Sequence, residues 1–373
     1  MRPVARLAHP SRALALAAIV ACAGCGPSLG TPYDTTYAAA ARAESAGRLA
    51  EALAAYDRAA TLGKRKGDAD QARWAAIDVL EREARVADAV ARLDAMAQDG
   101  ASVRQGQAAY RAAALRIDHG DPDRGWRDME QVPRQYPAGG VGHVAVRRLV
   151  AHADEQGPKA GLDELNALER DLDKTELAEL VAYLTADHLE TLGEAQAARD
   201  AYARMADRWP YPQGAFFDGA LWKASLLDEQ LGQPRAAVSD LEKMVAARET
   251  TSLMGSYERK HYVPAMLRMG ALYRDKLGDH EKARTTFHRL YTDFVHSTMR
   301  DDALWLEAAL WKQDGDARTA CERLATLVRE FPDSRYVPCA TAQCEGLARP
   351  KPSEAPSQCR PYLERAGWQP GNE

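Results

Sequence analysis

Long apolar segments, catalytic signatures and phenylalanine are all scarce in this chain of 373 residues. It contains only 5 Phe, whereas alanine is abundant. Because alanine is the best helix former and takes little space, this composition favours closely packed helices. The chain has no glycine-rich phosphate loop, no H-E-x-x-H zinc motif and no G-x-S-x-G elbow. The sequence therefore predicts an all-α protein that is not an enzyme and uses no cofactor or metal.

The chain also lacks an excess of positive charge. Its 49 Lys and Arg are outnumbered by 54 Asp and Glu, which gives a net charge of -5 and a pI of about 6.0. A nucleic-acid surface needs clustered positive charge to neutralise phosphates. We therefore expect no nucleic-acid partner. Beyond the N-terminus, no segment is apolar enough to cross a bilayer, which takes about 20 residues.

The first 21 residues have the features of an export signal. Arg2, Arg6 and Arg12 precede an apolar run over Ala13 to Ala21. This run is too short to span a bilayer, and small residues follow it, as in a secretory signal. We expect a mature chain that is exported, with residues 1–21 as the signal peptide and 22–32 as a short tether.

Two cysteines stand at the end of this signal, in the stretch IVACAGCG. The residues up to Cys22 resemble the lipobox of bacterial lipoproteins, in which a cysteine is acylated, and those up to Cys25 resemble it too. The residues before Cys22 fit the lipobox better than those before Cys25. Acylation of Cys25 would remove Cys22 with the signal and leave an even number of thiols for disulfides. The resemblance implies a lipid anchor at the periplasmic face of the outer membrane. A plain cleaved signal with a soluble periplasmic chain, and a redox Cys-x-x-Cys pair, are the alternatives.

The remaining cysteines, Cys321, Cys339, Cys344 and Cys359, all lie in the last fifth of the chain. An exported protein meets an oxidising compartment, so two disulfides are expected, with zinc or free thiols as alternatives. In a helix hairpin that turns near Pro332, Cys321 and Cys344 lie at similar distances from the turn. We therefore predict the pairs Cys321–Cys344 and Cys339–Cys359. The second pair pins a Pro/Ser-rich tail, residues 349–373.

A repeat occupies most of the chain, at intervals of 36 to 46 residues. Each unit has a small residue, a large residue four positions later and an apolar residue three positions after that, which places the three on one helix face. The small anchors are Ala52, Ala89, Gly125, Gly161, Ala198, Ala237, Ala283 and Ala320. The large residues are Tyr56, Leu93, Met129, Leu165, Tyr202, Leu241, Phe287 and Leu324.

This pattern resembles the second half of the tetratricopeptide repeat (TPR) motif, A-x3-F followed by P, as in Ala198-x3-Tyr202 with Pro210 and Ala320-x3-Leu324 with Pro332. The junction REFPDSRYVPCA looks like that of bacterial outer-membrane lipoproteins with such repeats. The resemblance implies a right-handed superhelical solenoid of about eight TPR-like helix pairs over residues 33–348. It also implies a scaffold that binds envelope proteins or extended peptides.

Aromatic residues recur fifteen positions before the anchors. In the family, residues near the start of the first helix line the concave groove, so a ladder of rings there is suited to an extended peptide. The alternative is that the rings belong to the core, because the family's own Trp is one position away. The ladder residues are Tyr37, Trp74, Tyr110, Tyr183, Trp222 and Trp305.

Two further stretches are candidates for partner binding. Tyr211, Phe216 and Phe217 lie in a stretch rich in aromatic rings, proline and glycine, which predicts either a docking patch or a hydrophobic plug between units. Arg259 and Lys260 lie where the longest interval between anchors places extra residues. Together, the lipobox and the repeat resemblance imply a membrane-anchored adaptor in a bacterial envelope complex. A soluble periplasmic subunit and a helical support of a cell-wall-processing enzyme are the alternatives.

Overall fold

Helix pairs account for the architecture. A computed structural model describes residues 31–248 and 259–347, and these residues form seventeen helices and no strand. The helices make eight consecutive pairs, and one short helix follows them. The all-α class and the number of pairs predicted from the repeat are confirmed.

The chain divides into two compact units between Ala145 and Val146. Up to this division the helices are α1 (Pro32–Ser45), α2 (Leu49–Leu62), α3 (Lys66–Arg82), α4 (Val86–Gln98), α5 (Gln105–His119) and α6 (Pro122–Gln135). The division falls inside α7 (Gly140–Asp154). The helices after it are α8 (Pro158–Leu172), α9 (Ala178–Thr191), α10 (Ala195–Arg208), α11 (Phe217–Gln230), α12 (Pro234–Ala246), α13 (Tyr262–Asp275), α14 (His280–Asp293), α15 (Arg300–Gln313), α16 (Ala317–Glu330) and α17 (Val337–Gln343).

The repeated apolar positions form the core of each unit. All the anchors and all the large residues four positions later are buried. The anchors are small because the helices of a pair approach each other there. A Cβ built on Gly125 would lie 2.7 Å from the backbone nitrogen of Ile117. The spacing of the apolar residues thus determines which face of each second helix packs inward.

Proline and aspartate lie at the starts of several helices. Pro122, Pro158 and Pro234 occupy the first turns of α6, α8 and α12, where proline has no intrahelical bond to lose. Asp316 caps α16, since its carboxylate accepts a hydrogen bond from the amide of Thr319 at 2.9 Å. Between paired helices, Gly315 has a φ of +87°, a conformation that glycine adopts without steric cost.

The sulfur atoms of Cys321, in α16, and Cys344, just after α17, lie at disulfide-bonding distance, with their Cα atoms 5.7 Å apart. Helix α16 is the second helix of the last pair, and α17 follows it after a turn, as the hairpin argument expects. Cys359, the expected partner of Cys339, lies outside the described residues, as do Cys22 and Cys25. The lipidation site and the second disulfide stay predictions.

Candidate peptide-binding site

The aromatic ladder does not form one continuous open surface. Trp222 of α11 and Trp305 of α15 are only 4% and 7% exposed. Trp222 stacks on His261 with ring centroids 5.2 Å apart, and Trp305 stacks on Tyr336 at 4.8 Å. Both rings fill the space between one helix pair and the next. The expectation that they present open faces to a peptide is not met, because residues that follow each helix pair, His261 and Tyr336, cover them.

Burial affects the ring that covers Trp222. The low polarity around His261 lowers the pKa of its imidazole, although the nearby Asp218 carboxylate raises it and Lys260 lowers it. A neutral imidazole stacks on the indole without burying a charge. The stacked pair thus behaves as part of the core.

Tyr37 and Tyr183 are half-buried and pack within their own helix pairs. Tyr37 meets Tyr56 edge-on, with centroids 5.2 Å apart, and Tyr183 meets Tyr202 in the same way at 5.7 Å. Tyr183 also stacks on Phe216 at 4.8 Å. These rings therefore connect the two helices of a pair, and little of their faces is left for a ligand.

Trp74 and Tyr110 are the two ladder residues that line an open groove together. The groove belongs to the first unit, has a volume of about 540 Å³, and is walled by α3, α5 and the start of α7. Its lining residues are Trp74, Gln107, Tyr110, Arg111, Ala114, Gly140, Val141 and Val144. An apolar groove of this size with a few polar groups is typical of a binding site.

Two arginines lie over the indole ring of Trp74. The guanidinium carbon of Arg111 is 4.8 Å from the ring centroid and that of Arg104 is 5.3 Å from it. Burial lowers the pKa of Arg111, but hydrogen bonds to the Glu81 and Asp78 carboxylates outweigh that effect and raise it. The ion pairs to Asp78 and Glu81, at 2.5 and 2.8 Å, fix Arg111 in place.

The edge of the groove exposes aliphatic side chains. Val144, in the first turns of α7, is 49% exposed, and Val103, just before α5, is 62% exposed. Val103 lines a smaller pocket of about 260 Å³ that shares Gln107, Gly140 and Val141 with the groove. The groove therefore adjoins a smaller, more polar pocket within the first unit.

The aromatic stretch before α11 forms a plug, which was the second of its two interpretations. Phe217 is buried, and Tyr211 and Phe216 pack against the core of the second unit. The Glu179 carboxylate holds the loop in place by accepting hydrogen bonds from the amides of Ala215 and Phe216, at 3.1 and 2.8 Å. Most of this aromatic surface therefore packs inside the fold, which agrees with the plug interpretation.

The two basic candidates near residue 260 differ in their surroundings. The Arg259 guanidinium forms an ion pair with Asp218 at 2.6 Å and lies 4.8 Å from the ring centroid of Tyr211. Its charge is therefore neutralised within the fold. Lys260 is exposed. Residues 249–258, where the extra length was expected, lie outside the described part of the chain.

Sequence reasoning missed Arg104, Arg111, Val141 and Val144. Of these four, only the two valines had a signal in the sequence. Val141 and Val144 are three positions apart at a helix start, which puts them on one helix face. The approach of Arg104 and Arg111 to Trp74 joins different helices, and no spacing within one helix encodes it.

Among the described residues, no group of histidine, cysteine and acidic side chains forms a metal-binding cluster. None of the helices described is long and apolar enough to cross a membrane.

Comparisons with known proteins agree with the repeat. The family described as Tetratricopeptide repeat matches residues 264–297 and 302–334. These ranges coincide with the last two helix pairs, α13–α14 and α15–α16. No curated protein sequence matches the chain. The matched repeats support a protein–protein interaction scaffold.

The solved structures to which this chain is similar include one from Pseudomonas aeruginosa and one from Parabacteroides merdae. A Pseudomonas aeruginosa PilF structure has 16% identity and a TM-score of 0.35, and the match covers 64% of this chain and 97% of PilF. A tetratricopeptide repeat protein from Parabacteroides merdae has 12% identity and a TM-score of 0.30, with 74% and 99% covered. Scores this low carry no argument about function. The chain therefore contains tetratricopeptide repeats, identified in residues 264–297 and 302–334, at the end of an array of eight helix pairs.

Proposed function

We propose that this chain is a lipid-anchored scaffold that binds segments of other proteins within an envelope complex of a bacterium. The observation that carries the binding role is the apolar groove beside Trp74 and Tyr110 in the first unit. Elsewhere in the described chain the ladder rings are covered or half-covered by neighbouring helices. This groove combines half-exposed aromatic rings and aliphatic side chains with nearby charged groups, a combination suited to a peptide.

A photo-crosslinking experiment tests the binding role. A benzoylphenylalanine residue replaces Tyr110 in the full chain, and the same residue replaces Val295, which is 53% exposed and lies between α14 and α15. In the native envelope we expect a discrete crosslinked partner from position 110 and none from position 295. The same crosslinks from both positions, or none from position 110, would contradict a role for the groove.

The anchor is supported by the resemblance of IVACAGCG to a lipobox, and mass spectrometry of the mature N-terminus tests it. We expect an acylated cysteine, Cys22 or Cys25, and recovery of the chain in the outer-membrane fraction. Cys22→Ser and Cys25→Ser variants identify the acylated residue, since only one of them releases the chain from the membrane. An unmodified mature chain in the periplasmic fraction would show a soluble subunit instead.

Hydrolysis of cell wall by the pure protein would contradict a purely scaffolding role.

A further inference from the structure

The residues in and beside the groove of the first unit indicate which chemical groups its ligand contains. We propose that it selects an extended peptide in which a carboxylate lies close to an apolar side chain, and that Arg104 provides the preference for negative charge. This inference rests on the proposed function, because it names the kind of protein segment that the same groove binds.

The apolar part of the peptide is specified by the walls of the groove. Trp74, Tyr110 and Ala114 contribute ring and methyl surface from two neighbouring first helices. Val141 and Val144 add aliphatic surface from the start of α7, and half of the Val144 surface is open. A volume of about 540 Å³ accommodates a short run of side chains rather than a folded domain. Burial of apolar groups there supplies affinity, whatever the charge of the peptide.

The preference for charge comes from the difference between the two arginines on Trp74. Arg111 forms ion pairs with Asp78 and Glu81, so its charge is satisfied. Arg104 forms no ion pair within residues 31–248 and 259–347, and its guanidinium lies 5.3 Å from the Trp74 ring centroid. An arginine held against an indole at the edge of an apolar groove is positioned to bind a carboxylate through charge-assisted hydrogen bonds.

The N-termini of α5 and α7 also favour a negatively charged ligand. Gln107 lies in the first turn of α5, and Gly140 and Val141 lie in the first turn of α7, and all three line the groove. Helix N-termini carry a partial positive charge and favour a nearby anion. A basic peptide would meet Arg104 and two helix N-termini, whereas the nearby Asp78 and Glu81 carboxylates are already paired with Arg111. An acidic peptide is therefore the complementary ligand.

Selection from a phage-displayed library of random dodecapeptides tests the proposal. The full chain serves as bait, alongside its Arg104→Gln, Arg104→Lys and Val144→Asp variants. Val144 is exposed, so its replacement leaves the core intact, and circular dichroism of each variant verifies folding. We expect the enriched peptides to carry Asp or Glu within a few residues of Leu, Ile, Phe or Trp.

Synthetic peptides then separate the two contributions. A selected peptide is expected to bind Arg104→Gln about tenfold more weakly than the natural chain, and Arg104→Lys by an intermediate amount. Its Asp→Asn version is expected to bind the natural chain and Arg104→Gln equally. Val144→Asp is expected to bind neither peptide.

The opposing outcomes distinguish this inference from the proposed function. Enriched peptides that are apolar without an acid, or that bind Arg104→Gln undiminished, would overturn the charge preference and leave the groove as a peptide site. Peptides that bind Val144→Asp as well as the natural chain, or a library without enriched peptides, would overturn both. Self-association of the natural chain that Val144→Asp abolishes would identify a second copy as the occupant and overturn the inference.

Discussion

One arginine in the second unit links its own helix to carboxylates from the next two helices. Arg199 of α10 binds the Asp228 carboxylate of α11 at 2.7 Å and lies 3.8 Å from that of Asp240 in α12. Asp228 is fully buried, and one oxygen of Asp240 is buried without a hydrogen-bond partner. Burial raises the pKa of Asp240 to about 6, with Asp228 adding to it and Arg199 opposing it. At this site, two negative charges compete for one positive charge.

Asp240→Asn is expected to flatten the pH dependence of stability. Because the folded-state pKa of Asp240, about 6, exceeds the ordinary value of 3.8, the folded chain holds the proton more tightly. The contribution of this group to the free energy of unfolding is therefore fully present below about pH 4. It is lost as the pH rises through 6. Asparagine stays neutral, so the variant gains in melting temperature over the natural chain at pH 7.5 but not at pH 4.

Asp200→Asn is the control for this measurement, since Asp200 lies 3.5 Å from the same guanidinium but is more exposed. Thermal unfolding followed by circular dichroism from pH 4 to 8 makes the comparison. If the melting temperatures of the natural chain and Asp240→Asn differ by the same amount at every pH in this range, the raised pKa of Asp240 is wrong.

The helix pairs depend on close approach at the small anchors. At Gly125 of α6, a Cβ would meet the Ile117 backbone nitrogen at 2.7 Å and the Ala113 carbonyl oxygen at 2.9 Å. Backbone atoms cannot rotate away as the end of a flexible side chain can. The two helices would have to move apart, and the neighbouring core contacts would weaken with them.

Gly125→Ala is therefore expected to lower the free energy of unfolding by roughly 1–3 kcal/mol. The matched control is Gly67→Ala in α3, where a Cβ would meet nothing within 4 Å. That change is expected to be neutral or to stabilise the chain by up to about 1 kcal/mol, since alanine favours helix. Urea unfolding of both variants gives the values. Equal effects of the two substitutions would contradict close packing at the anchor.

The last helix pair and α17 are expected to be joined covalently. The cysteines of α16 and the end of α17 are separated by 23 residues. Under oxidising conditions, Cys344→Ser is expected to lose about 3 kcal/mol of stability, because an open chain has more conformational freedom when unfolded. A reductant should remove most of this difference. Non-reducing peptide mapping that links Cys321 to Cys339 would refute the pairing.

Across the array, ion pairs connect corresponding helices of successive repeats. Arg92 of α4 binds Asp57 of α2 at 2.6 Å, and Lys223 of α11 binds Glu190 of α9 at 3.1 Å. Other pairs of this kind join Arg111 to Asp78, Arg208 to Asp173 and Arg268 to Glu229. Several helices thus form ion pairs with their counterparts in the next repeat, which supports the stacking of neighbouring repeats.

Because each link involves only neighbouring repeats, its contribution is expected to be local. Arg92→Gln and Lys223→Gln are each expected to cost at most about 1 kcal/mol, since these pairs are partly exposed. The double variant is expected to equal their sum within about 0.5 kcal/mol, as the two pairs share no partner. Denaturant unfolding of the four chains measures this. A larger coupling energy would show that interactions in one repeat are transmitted to distant ones.

The repeat made most of the fold predictable. The eight anchors with their larger companions identified every second helix, because a spacing of four and three marks one buried helix face. The ladder was harder to interpret, since Trp222 and Trp305 have the same spacing as Trp74 but are covered by His261 and Tyr336. Exposure depends on the following repeat, and the residue itself does not encode it.

The sequence by itself determined the helical class, the number of pairs and the faces that pack inward, because these follow from contacts between residues close along the chain. The tertiary structure alone decided that the groove lies beside Trp74 and Tyr110. It also decided that, within the described part of the chain, Arg111 forms ion pairs and Arg104 does not. Those features arise where side chains thirty or more positions apart meet across helices. Their distances depend on how the pairs stack, which no local pattern specifies.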